Sequence, residues 1–175
     1  MTGTLPPPEF SHRVDLREIS DRPVALSANE AERAALATRF DLTSIGRLEA
    51  EVTLEQKGDE VQVQGKLSAD YVQPCAVTGE DLPVSLDEQI AFRFVPERAS
   101  ATPDEEVELE DEDLDEIFYS GTAFDLGEAV AQSLALAINP YLTGPDADTF
   151  REMHELGEKA PDGPLQQALK GLKKD

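Results

Sequence analysis

Leu48-Glu49-Ala50-Glu51-Val52-Thr53-Leu54-Glu55 alternates apolar and polar residues without a break, and Lys57-Gly58-Asp59 follows it. Beyond that turn Val61, Val63, Gly65, Leu67, Ala69 and Tyr71 alternate again with mostly polar neighbours. A period of two places one set of side chains on each face of a strand, so the stretch predicts a long antiparallel hairpin with one buried face. Pro74 ends it, because proline has no amide to give to a central ladder. A third alternating run follows Pro83, with Val84, Leu86, Ile90, Phe92 and Phe94 on one face. Glu88 interrupts that face, which predicts a bulge or an exposed edge near it.

The hairpin sits between two helical patterns. Ser27-Ala28-Asn29-Glu30 has the form of a capping box, and the alanine-rich segment after it predicts a helix to about Arg39, with Leu36 and Phe40 on one side. Asp125 caps a second helix, with Glu128 at its third position and a stripe of Leu126, Val130, Leu134, Ala137 and Ile138. Asn139-Pro140 stops that helix. Residues 10–19 predict a short edge strand, and Ile117-Phe118-Tyr119 returns the chain to the sheet. The fold class expected is α+β: an antiparallel sheet built on a long hairpin, two main helices packed on it, and flexible acidic and C-terminal segments.

Three parts are expected: an N-terminal lead over 1–26, an α+β domain over 27–145, and a C-terminal tail over 146–175. In the tail, 144–163 reads mainly as linker with a helical turn at Phe150 to Leu156, and Leu165, Leu169 and Leu172 recur at helical spacing. A chain of 175 residues suits one domain with tails. It has no apolar run of the ~18 residues a membrane helix needs, and its N-terminus lacks the basic and apolar regions of a secretory signal. A cytoplasmic protein is expected, and a single cysteine agrees with a reducing compartment.

The formal net charge is −22. It disfavours broad contact with nucleic acid phosphates or anionic membranes and fits a basic protein partner, or serves solubility alone. Between Glu97 and Glu116 eleven acidic residues face one Arg98, a block that repels itself and is expected to be mobile.

Catalytic and metal patterns fail on inspection. Asp111-Glu112-Asp113-Leu114-Asp115 begins like a calcium loop, but Glu116 and Thr122 stand where glycine and a bidentate glutamate are needed. His154-Glu155 opens like a zinc protease helix, yet Glu158 occupies the second histidine's place. Ser133 lies within a helix, where a backbone-bonded or solvent-facing hydroxyl is the default. Cys75 has no histidine near it in sequence to act as base, and at a strand end beside Pro74 it reads as a small, partly buried apolar residue. No catalytic residue, cofactor or metal is expected.

Two stretches carry a resemblance: Tyr71-Val72-Gln73-Pro74-Cys75-Ala76-Val77-Thr78, and Asp125-Leu126-Gly127-Glu128 running through Leu134-Ala135-Leu136-Ala137 to Asn139-Pro140-Tyr141. With the order of helix, hairpin, cysteine turn, strand and acidic insert, the region from Ser27 to Pro145 resembles the YceD family, named for large ribosomal RNA subunit accumulation. Many members carry a C-x-x-C turn and a later cysteine cluster suited to a metal, whereas this turn reads Cys75-Ala76-Val77-Thr78 and no cysteine follows Asn139. The resemblance implies a bacterial, non-enzymatic factor in ribosome biogenesis. Its charge suggests a basic ribosomal protein or assembly factor as partner, contacted diffusely by the acidic segment (Glu105, Glu106, Asp111, Asp113) and specifically by the turn (Gln73, Cys75, Thr78). The alternatives are a ribosomal RNA-binding module using a patch of Arg93, Arg47 and Lys66, or a small enzyme with a concave polar pocket.

Overall fold

A computed structural model describes residues 9–97 and 115–154. The chain divides into two compact units, Met1–Gln73 with Pro83–Asn139, and Pro74–Leu82 with Pro140–Asp175.

The hairpin organises the first unit. β3 (Ser44–Lys57) pairs antiparallel with β4 (Glu60–Pro74) from Ser44↔Val72 to Lys57↔Glu60, and Gly58 turns the corner at φ 66°. The register slips once, between Ile45 and Arg47, at Gly46. This bulge explains why the buried residues Ile45 and Leu48 are three apart before the strict alternation starts. β2 (Val24–Ser27) pairs antiparallel with β3, and β5 (Asp81–Pro96) lies on the other side of β4. Ser85 bonds Asp70 and Ser68 bonds Asp87, so β4 and β5 run in opposite directions. β6 (Asp115–Tyr119) closes the order β2-β3-β4-β5-β6 and is parallel to β5, from Phe92↔Asp115 to Pro96↔Tyr119. The sheet is therefore mixed, which corrects the all-antiparallel expectation. Asp115 and Glu116 belong to this strand, so the expected acidic insert is shorter at that end; 98–114 lie outside the described residues.

A second, two-stranded sheet pairs β1 (Arg13–Asp15) with β7 (Ala123–Asp125), so the expected N-terminal strand is present but separate from the main sheet. The true edge partner of β3 is β2, a four-residue strand with too few alternations to be visible in the sequence.

α1 (Glu30–Arg39) starts two residues later than the capping box Ser27-Ala28-Asn29-Glu30 implies. Ser27 belongs to β2, and Asn29 is the cap: its side chain accepts from the Glu32 amide at 3.0 Å, while the Glu32 carboxylate accepts from the Asn29 amide at 2.7 Å. α2 (Leu126–Ala137) is capped by Asp125, which accepts from Glu128 N at 3.1 Å and also from His12 N at 2.9 Å, fixing the helix to the chain before β1. The Glu128 carboxylate reaches across to Arg39, taking bonds of 2.8 and 3.0 Å, and the Arg39 bond holds its carboxyl below the usual range. Its buried stripe is wider than expected, adding Gly127, Ala129 and Ala131, whereas Ala137 and Ile138 are only half-buried. Phe94, Leu67, Val61 and Val63 from the sheet form one core with Leu36 of α1 and Leu126, Val130 and Leu134 of α2. The opposite face of β3 carries the exposed Glu49, Glu51, Thr53 and Glu55.

In the second unit, α3 (Ala147–Met153) replaces part of the expected linker. The leucine repeat at Leu165, Leu169 and Leu172 lies outside the described residues. No helix among the described residues is long and apolar enough to cross a membrane.

Candidate functional site

The structure presents two places of interest, one in each unit. The first is the turn after β4. Cys75 N donates to Glu80 O at 2.7 Å and Gly79 N returns to Cys75 O at 3.0 Å, with Gly79 at φ 75° where a side chain would be strained. Cys75 is 4% exposed, and its sulfur accepts three amides: Val77 at 3.5 Å, Thr78 at 3.4 Å and Gly144 at 3.3 Å. Ala76 N donates to Leu142 O at 2.9 Å, so the segment before α3 and the cysteine turn are laced together.

Cys75 is buried at the strand end, as expected of a structural residue, and its sulfur is in addition a hydrogen-bond acceptor. The Thr78 side chain, followed by the amides of Gly144, Thr78 and Val77, favours thiolate and holds the thiol down to about 6, against the desolvation that opposes it. The Thr78 hydroxyl also lies 3.2 Å from Glu80 Oε2 and has one proton to give, so the three amides are the steadier contribution. A structural zinc site needs four ligands. The turn supplies one thiol and the Thr78 hydroxyl, and the described residues contain no group of three or more His, Cys, Asp and Glu suited to an ion, so the residues present do not fit the metal.

The amides couple folding to pH through the Cys75 thiol. Its folded value lies below the unfolded value of about 8.5, so its stabilisation is full above about 8.5 and is lost as pH falls through about 6. Cys75→Ser is expected to fold, and the melting-temperature difference from the parent should widen as pH rises across that window. A difference that stays flat from acid to alkaline pH would mean that the amides do not hold a thiolate.

Gln73, expected to contact a partner, is 4% exposed in the first unit, and its Nε2 donates to Asn139 O at 2.8 Å. Its Oε1 is buried without a partner among the described residues. Glu105, Glu106, Asp111 and Asp113 lie outside the described residues. The cations of the alternative patch are each engaged: Arg93 with Glu116, Arg47 with Asp70 at 2.7 Å and Lys66 with Asp87 at 2.9 Å.

The second place is a groove of about 560 Å³ between β5 and α2. Ile90, Phe92 and Ala129 form its floor, Leu136 stands at the rim 79% exposed, and Glu88 and Asp115 are exposed beside it. Sequence reasoning marked Glu88 as an edge position but missed the groove, because its second wall depends on where β6 begins. Ser133 lines it with its hydroxyl given to Ala129 O at 3.0 Å.

No curated protein and no solved structure matches this chain. One family model does match, over residues 63–171, from β4 through the cysteine turn, β5 and α2 into the tail, and its description is "Large ribosomal RNA subunit accumulation protein YceD". That span exceeds half of the 175 residues, and the chain belongs to the YceD family.

Proposed function

We propose that the protein supports accumulation of large-subunit ribosomal RNA as a non-enzymatic cytoplasmic factor that binds a basic ribosomal protein or assembly factor. The observation that carries this reading is the family match over 63–171. The net charge of −22 supports a basic protein over naked RNA, since phosphate contact calls for clustered free cations. Arg93, Arg47 and Lys66 are each paired with a carboxylate, which weighs against the RNA-binding patch. In the β5–α2 groove the hydroxyl of Ser133 is given to its own helix backbone, in keeping with a binding surface there.

Affinity capture of the tagged protein from growing cells, with identification of bound proteins and RNA, tests the partner class; recovery of RNA alone would reject it. Loss of the gene should lower the ratio of large- to small-subunit ribosomal RNA. The acidic residues give a kinetic test. Exchanging Glu105, Glu106, Asp111 and Asp113 for Gln or Asn should leave the melting temperature nearly unchanged and slow association with the captured partner more than it speeds dissociation, because steering acts over about 8–10 Å of screened solvent. Unchanged association at low ionic strength would leave the run as a solubilising spacer.

A further inference from the structure

Each residue of Asp125-Leu126-Gly127-Glu128, at the start of α2, bears on residues 9–15. The Asp125 carboxylate accepts from the Ser11 hydroxyl at 2.5 Å and from the His12 amide at 2.9 Å, and the Leu126 amide donates to His12 O at 2.9 Å. A Cβ built at Gly127 would stand 2.7 Å from His12 N, 2.8 Å from Phe10 O and 2.9 Å from Ser11 C. The main chain of the N-terminal segment therefore lies directly against the bare helix backbone. Glu128 and Glu9 hold the same guanidinium, that of Arg39 in α1, at 2.8 and 2.9 Å. The four residues together form a cradle for the segment.

The segment is built to part from that cradle. Its regular structure is the β1–β7 ladder of three pairs, Arg13↔Asp125 to Asp15↔Ala123, in a sheet separate from the main one. A two-stranded ladder is marginal by itself in water. Ser11, His12 and Arg13 are exposed, and Phe10 and Val14 are its two buried apolar anchors. After a single 3-10 turn (Leu16–Glu18), Ser20, Asp21, Arg22 and Pro23 are all exposed and lead into β2, which gives the segment a hinge. Arg39 donates to both oxygens of Glu128, so α1 and α2 stay tied when Glu9 leaves.

We propose that residues 9–15 are a releasable strap, which swings out on the hinge at Ser20 to Pro23 while the main sheet and the α1–α2 link stay in place. Release uncovers β7 and the Gly127 side of α2. Local units of this kind open at free energies below that of global unfolding. The bonds to Asp125 and Leu126 set the register of the closed strap, and Phe10 and Val14 hold it shut. Glycine costs stability inside a helix, and Gly127 is explained by the chain that must lie on it. The inference goes beyond the partner reading and does not depend on it.

The test is residue-resolved amide exchange on the full chain. The amides of His12, Leu16 and Leu126, which bond Asp125, Thr122 O and His12 O, should report one common opening and exchange at least about tenfold faster than amides in the middle of β3 and β4. Gly127→Ala removes the seat while favouring the helix, and should quicken the three amides at least about tenfold more without moving β3 and β4. Tryptic cleavage after Arg13 should quicken by a similar factor, because it follows the open population. Ser11→Ala combined with Glu9→Gln leaves both anchors and Gly127 untouched, and should quicken the same amides about fivefold, the loss expected of a hydrogen bond. This milder variant decides alone if Gly127→Ala does not fold. Exchange of the three amides together with β3 and β4 in the parent, or equal quickening of both regions in the variants, would make the segment part of the global core and overturn the strap. Parent rates at His12 and Leu126 in Gly127→Ala would overturn it as well, since the cradle would then not seat the segment.

Discussion

Gly65→Ala is expected to cost more than about 4 kcal/mol, a large share of the ~5–15 kcal/mol that holds a typical domain together. Gly65 pairs with Val52 in the middle of the hairpin, and a Cβ built there would stand 2.1 Å from Glu51 O and 2.6 Å from Val52 Cα. Both atoms are main chain, so no rotamer change relieves the clash, and β3 and β4 must separate where every neighbouring residue is in register. Val52 is 1% exposed and its Cγ1 lies 2.8 Å from the same point, which means its side chain fills the space the glycine leaves. Gly58→Ala provides the contrast in the same hairpin. Its φ of 66° strains a side chain, but nothing lies within 4 Å, so the cost should be about 1 kcal/mol. Urea denaturation of the two variants gives the comparison. Similar midpoints would show that the strands do not approach each other as closely as the geometry requires.

That close approach was hidden in the sequence even though the hairpin was plain. Gly65 takes its place in the alternation of β4 like any other residue of the buried face, and the period of two is insensitive to how near the next strand comes. Local patterns served well wherever a local force sets the structure. The β3–β4 alternation, the Asp125 cap and the stop at Asn139-Pro140 are of this kind, as is the C-terminal limit of α1 at Arg39. The start of α1 was misjudged because two polar residues compete for the cap, and Asn29 wins by exchanging bonds with Glu32. Cys75 could not be read from its neighbours, since one of its three amide donors comes from Gly144. The groove was missed for a related reason. Glu88 signalled an exposed position, but the β6 wall of the groove comes from a parallel pairing between segments more than twenty residues apart in sequence.

Phe94→Ala should cost about 3–5 kcal/mol, the usual range for emptying a large buried aromatic position. Phe94 is 1% exposed, stacks on Phe124 with ring centroids 4.1 Å apart, and meets Phe92 edge-on at 5.6 Å. Phe124 in turn meets Tyr119 at 6.1 Å, so the cluster links β5, β6 and β7, and β7 leads directly into α2. The β3–β4 ladder lies on the far side of β5 from β6 and has an unbroken run of pairs from Arg47 to Lys57, with the Tyr119 hydroxyl on Asp59 O as a tie to the cluster. The loss should therefore be uneven: amide exchange in β6 and the first turn of α2 should quicken before exchange in β3 and β4, as local opening drains the less supported part of the sheet. Phe94→Leu, which keeps most of the volume but not the ring contact, should recover a large part of the stability. An alanine variant that exchanged uniformly across both regions would mean that the ring cluster supports the whole sheet equally, and the wall of the β5–α2 groove would have no separate support of its own.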